Sequence, residues 1–287
     1  MADAVAGAAQ LIVCADDFGA EPAVNEAVEI AYRDGILTTA SLMVAAPAAA
    51  DAVARARRLP GLRVGLHLDL VEGRPALRAN EVPLLVRRDG RFDPNMGRAG
   101  CRFFFLPRVR RQLAAEIRAQ FEAFHATGLA LDHVNGHKHI QLHPTVARLV
   151  VEIGRDYGLK AMRLPAEPVG VLRRAFPDER FAPPLYAPAA ASLRRRLRRA
   201  RLRYPTRVFG LAWTGRMVER RLLGLLPHLP DGISEIYFHP ATARRLALPD
   251  YDGPGELAAL ISAAVQGVVA DLGVKLGGYT DLAAFSA

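Results

Sequence analysis

The chain alternates short apolar runs, each about one strand long, with stretches of helical spacing, and this constrains its fold more than any other feature. Leu11–Cys14 reads as a first strand. Residues 22–34 read as a helix, with Val24, Ala27, Val28 and Ala31 on one stripe and Gly35 just past its end. Strands are expected at 38–44 and 63–70, with a helix over 48–58 between them. A long amphipathic helix over 108–127 stops at Gly128. It is followed by a strand at 131–137 and a helix over 144–157 with Gly158 beyond it. Later strands are expected at 161–164 and 234–238, and a final helix over 256–272.

Repeated β–α units imply a parallel sheet, open or closed into a barrel. In either form, sites collect where strands end and helices begin. Two segments interrupt the alternation: 72–107, rich in Pro, Gly and Arg, and 165–232, which carries a run of arginines. Both read as insertions covering the site of one catalytic domain spanning residues 1–287. With 51% hydrophobic and 23% charged residues, the chain has material for a sizeable core and is not a disordered one. The two cysteines, Cys14 and Cys101, make no disulfide framework, which suits a reducing compartment. No apolar run approaches the roughly 18 residues of a membrane span, so a cytoplasmic protein is expected.

Four clusters carry chemistry. The first, Asp16-Asp17, follows the first strand; adjacent carboxylates repel unless a cation or proton lies close. The second is His67, on the polar face of an alternating strand whose other face is Val64, Leu66, Leu68 and Leu70. The third is the densest: His133, His137, His139 and His143 place four of the chain's eight histidines within 11 residues, and imidazole is a common ligand of divalent metals. The fourth is His239, where a late strand meets Pro240. Taken singly, each is as well explained by capping or core packing. Together at strand ends they supply what metal-assisted hydrolysis needs: ligands, a carboxylate base and an acid for the leaving group. A two-His, one-carboxylate set also suits an Fe(II) oxygenase, so that reading stays open on spacing alone.

Ala15-Asp-Asp-Phe-Gly19, Gly65-Leu-His67-Leu, Asp132-His-Val-Asn-Gly-His137-Lys-His139, Arg163-Leu-Pro165 and Glu235-Ile-Tyr-Phe-His239-Pro240 together resemble the YdjC-like family, which includes carbohydrate deacetylases acting on chitooligosaccharides. The resemblance implies an α/β fold, a distorted (β/α) barrel, TIM-barrel-like with fewer than eight regular units. It implies one divalent metal ion, Zn²⁺ or Mg²⁺, on Asp17, His67 and His137, with Asp16 as general base and His239 as acid. Arg163, His139 and Asn135 would contact the substrate. Gln141 stands where family members often carry a third histidine. Pro22-Ala-Val-Asn-Glu-Ala-Val28 and Phe103-Phe-Phe-Leu-Pro-Arg-Val109 resemble the hopanoid-biosynthesis-associated branch, which implies a hopanoid lipid bearing N-acetylglucosamine.

Residues 173–221 hold 14 Arg against three acids, a local charge of +11 in a chain of net charge +9. The remainder is close to neutral, which argues against nucleic acid as a partner. Leu193, Leu197, Ala200 and Tyr204 form an apolar stripe among these arginines, and Trp213 lies nearby. Peripheral contact of residues 191–226 with an anionic membrane surface is therefore expected, on the inner face of the membrane. Alone, the segment would also suit a non-enzymatic lipid-binding module. A homodimer is compatible with the sequence.

Overall fold

The computed structural model of the chain describes residues 10–245 and 248–281. In chain order the elements are β1 (Gln10–Phe18), α1 (Pro22–Asp34), β2 (Thr39–Leu42), α2 (Ala49–Arg57), β3 (Arg63–Leu68), α3 (Met96–Phe105), α4 (Pro107–Ala126), β4 (Leu131–Gly136) and α5 (Pro144–Gly154). Then come α6 (Val169–Ala175), α7 (Ala187–Ala200), β5 (Arg207–Phe209), α8 (Glu219–Leu225), β6 (Ile233–Phe238), α9 (Gly253–Ile261), α10 (Ala263–Asp271) and β7 (Lys275–Leu276).

All strand pairings are parallel, in the order β4-β3-β2-β1-β6-β5, with β7 pairing the first two residues of β1. Single bridges, Val134 to Met162 and Ala161 to Arg203, carry the pairing onward from β4 towards β5. The architecture is an α/β distorted barrel with fewer than eight units, as expected. The strand expected at 161–164 is reduced to those two bridges, which is where the barrel departs from regularity. The central strands are buried on both faces, as a parallel sheet wrapped in helices requires. Helix starts are set locally: Pro22, Pro107 and Pro144 each open a helix, where their fixed φ and missing N–H cost nothing. Gly35 is required by packing, since a Cβ there would fall 2.3 Å from the Leu260 carbonyl oxygen on α9.

Three expectations change. The final helix is two, α9 and α10, bent by 49° at Ser262, whose side chain caps the second. Segment 165–232 is not a plain insertion, because it contains the barrel strand β5. The apolar stripe of α7 is also already used: Ala190, Leu193 and Leu197 are buried, α7 packs on α5, and Trp213 is buried between Phe176 and Phe181. Residues 191–226 thus keep a basic outer face but no apolar face to enter a membrane. Among the described residues, no single helix is long and apolar enough to cross one.

Candidate active site

Because every strand runs the same way, their C-terminal ends form one rim. Asp16 and Asp17 lie in the last three residues of β1, which extends past the expected Cys14. His67 is the penultimate residue of β3 and Asn135 of β4, while His137 and His239 directly follow β4 and β6. Beyond Gly136 the extended backbone gives way to a 3₁₀ turn over His137–Leu142, with Lys138 and His139 at φ 51° and 55°. That break in strand parity separates the four clustered histidines, and His137 alone among them meets Asp17. Asp17 is itself left-handed, at φ 62°. Non-glycine residues pay for such φ values, and they concentrate at functional sites.

Asp17 Oδ1 lies 3.3 Å from His67 Nε2 and 3.3 Å from His137 Nδ1. One ligand atom from each of the three falls within 4.8 Å of the others. Asp17 Oδ1 and His67 Nε2 are buried and make no hydrogen bond. Buried polar atoms are seldom left unpaired, and a cation among these three would satisfy both. Two imidazoles and a carboxylate suit a divalent ion and leave coordination positions open. The residues present therefore fit a metal.

Neighbours fix these side chains. His67 Nδ1 lies 2.8 Å from Asn135 Oδ1; donating there leaves Nε2 as the free lone pair. Asn135 Nδ2 donates to Asp16 Oδ1 at 2.9 Å and to Ser41 Oγ at 2.8 Å. Ser41 Oγ lies 3.0 Å from His133 Nε2, and His133 Nδ1 lies 3.0 Å from Asp132. Gly65 makes room for this chain, since a Cβ there would meet the His133 ring at 2.4 Å. The other oxygen of Asp17 accepts from Arg245 Nη1 at 2.8 Å.

Asp16 accepts two bonds from Arg163, at 2.6 and 2.9 Å, and Arg163 also donates to Glu235 at 2.6 and 2.9 Å. Burial works against the Asp16 charge. The Arg163 guanidinium, aided by His67, more than reverses this and holds the carboxyl well below the usual range. Burial would also lower His137, but Asp17 and Glu72 push it up to about 10. Burial lowers His139 to about 3, with Arg163 adding to it, and lowers His239 to about 4 against the pull of Asp17 and Asp16. His139 Nδ1 and His239 Nδ1 are buried without partners. The His139 Nε2 atom lies 3.2 Å from the Tyr237 hydroxyl.

Asp17, His67 and His137 open onto a cavity of about 550 Å³, a size suited to a small-molecule substrate. Segment 72–107 supplies Glu72, Arg74, Arg87 and Arg91 to its walls; residues 165–232 supply none. Asp69, also on the wall, is pushed up to about 6 by burial.

Arg163 and Asn135, expected at the substrate, are wholly buried, and their side chains are engaged by Asp16, Glu235, His67 and Ser41. Gln141 is buried with both amide atoms unpaired, and His143 packs edge-on against Phe103 and Phe104. Arg245, Ser41 and Glu72 escaped the sequence reading because each is a single polar residue with no motif around it.

Residues 10–271 match the family described as YdjC-like protein. The chain belongs to that family. This YdjC-like chain is 34% identical over 253 residues to a carbohydrate deacetylase of Mus musculus, covering 84% of this chain and 78% of the relative. Against a carbohydrate deacetylase of Geobacillus stearothermophilus it is 38% identical over 164 residues, 56% of this chain and 60% of that one. A carbohydrate deacetylase of Brevibacillus brevis gives 37% over 148 residues, 52% of this chain and 56% of that one. The chain thus spans 56–60% of the length of these two bacterial relatives. A solved structure from Enterococcus faecalis, proposed to be a cellobiose-phosphate cleavage protein, shares the fold: TM-score 0.73, 22% identity, over 96% of this chain and 98% of that one.

Proposed function

We propose that this chain is a metal-dependent deacetylase that hydrolyses the N-acetyl group of an N-acetylglucosamine-type sugar. The observation that carries the proposal is the Asp17–His67–His137 triad, with two unpaired buried ligand atoms, opening onto a substrate-sized cavity. The deacetylase names of the relatives supply the reaction class.

A divalent ion held by Asp17, His67 and His137, Zn²⁺ or Mg²⁺, would polarise the acetyl carbonyl and acidify a water. Arg163 keeps Asp16 ionised, so Asp16 can accept the proton of the attacking water. Burial leaves His239 neutral at pH 7, so its unpartnered Nδ1 first has to take up the proton released by the attacking water, and the imidazolium so formed then passes it to the departing sugar amine. His139, half-buried with a free Nδ1, is the remaining candidate for substrate contact. Water adds to the carbonyl carbon, the C–N bond breaks, and acetate and a free amine result.

The finer substrate within this proposal is an N-acetylglucosaminyl hopanoid lipid, which rests on the likeness of residues 22–28 and 103–109 to that branch. The test is acetate release from such a lipid and from soluble N,N′-diacetylchitobiose, with and without a chelator. Chelator-sensitive release is expected, with preference for the lipid. Release that survives complete metal removal would sink the metal-dependent reading. Equal rates on both substrates would sink the lipid preference.

A further inference from the structure

The Phe103-Phe-Phe-Leu-Pro-Arg motif has no part in the site, and its surroundings are unusual. Phe105, Phe104 and Leu106 are 69%, 48% and 46% exposed, three consecutive large apolar side chains at the corner where α3 turns into α4. Met96, at the other end of α3, is also exposed. Contiguous exposed apolar surface of this kind marks an interaction site more often than chance. The charge around it is one-sided. Between Asp93 and Glu116 there are five arginines (Arg98, Arg102, Arg108, Arg110 and Arg111) and no acidic residue. Arg98, Arg108 and Arg111 are exposed, and Arg98 is paired with Asp93, so the net positive charge rests on the other four.

We propose that the α3–α4 corner is a membrane-docking tip, in which Phe104, Phe105 and Leu106 enter the interface of an anionic bilayer and the flanking arginines bind its headgroups. A second copy of this chain fits poorly as the occupant. A two-fold contact would set the same patch against itself and bring the four arginines that Asp93 does not pair against their own copies. An anionic surface instead complements them, and a corner with three adjacent exposed residues inserts into a soft interface without needing a matching groove. Two further relations support the orientation. α5 packs against both α3 and α7, so the exposed arginines of α7 lie on a neighbouring helix and can add to the same basic surface. Arg91 and Pro94 line the cavity, and α3 starts two residues later, so this one helix, about 15 Å long, joins the cavity wall to the tip. The proposal does not depend on the reaction catalysed.

The test is sedimentation of the full chain with vesicles of phosphatidylcholine, alone and mixed with phosphatidylglycerol. The unaltered chain should bind the anionic vesicles preferentially, and less at high salt. Phe104→Ser with Phe105→Ser should weaken binding at least about tenfold, and Arg108→Gln with Arg111→Gln should abolish the preference for anionic lipid. Phe105→Ser alone, at the most exposed position, checks that the loss is not a folding defect, and melting temperatures of all variants should match. Absence of vesicle binding by the unaltered chain, or undiminished binding by the Phe variants, would overturn the proposal. So would a concentration-dependent dimer that the Phe substitutions dissolve.

Discussion

Arg163 grips Asp16 through two hydrogen bonds of 2.6 and 2.9 Å in a place where both side chains are buried. The same guanidinium binds Glu235, whose second oxygen accepts from the Tyr279 hydroxyl at 2.5 Å. Asp16 is therefore set by a network reaching across the barrel from β1 to β6 and to the end of the described chain.

Arg163→Met should strand two buried carboxylates and cost about 3–5 kcal/mol of stability. Arg163→Lys is the sharper variant, because it keeps the charge but loses the planar fork. It should fold, bind metal and lose at least about tenfold in kcat with little change in KM. Full turnover by the Lys variant would show that Asp16 needs only a nearby charge, not an aimed one.

Asn135 touches both halves of the site, accepting from His67 and donating to Asp16. Substituting it with Ala should free the His67 ring to rotate and weaken metal binding about 10–100-fold. Competition with a metal-indicator dye measures this directly. Unchanged affinity would mean that packing alone orients His67.

Asp16→Asn and His239→Gln separate chemistry from metal binding. Each should lower kcat by about 10²–10⁴-fold, while metal content, read by elemental analysis, stays at the parent value. His67→Ala combined with His137→Ala should do the reverse and empty the site. A variant of Asp16 that loses metal in proportion to activity would recast it as a ligand.

Much of this arrangement was legible in the sequence, because β–α alternation and strand-end placement are local signals. The candidate ligands lay in recognisable runs, and the shared rim follows from parallel strands. Other features were not legible. The left-handed backbone at Lys138 and His139, which takes His137 and His139 out of strand parity, leaves no mark on residues that look like an ordinary polar run. Arg163 and Asn135 read as substrate contacts because polar residues are expected to be accessible; only burial shows them enclosed by acceptors and donors. The stripe on α7 was correctly amphipathic, but periodicity cannot say whether an apolar face meets lipid or a neighbouring helix.

The relay behind His67 ends on Asp132, and this links the site to stability at low pH. Asp132 accepts from the Tyr279 and Thr280 backbone N–H groups at 3.1 and 3.0 Å and from the Thr280 hydroxyl at 2.6 Å, besides its contact with His133. Burial opposes its charge, but His133 and Thr280 outweigh that and bring it from 3.8 down to about 2. A depressed carboxyl stabilises the fold above its unfolded pKa and stops doing so as pH falls through the folded one. The contribution, about 2 kcal/mol, is therefore complete above about pH 4 and gone near pH 2. Asp132→Asn should lower stability at pH 7 by roughly that amount and remove the matching part of the acid-induced loss, so the two proteins' urea midpoints converge as pH approaches 2. Parallel midpoint curves, with a constant gap over that window, would show that Asp132 acts through shape and not through its charge.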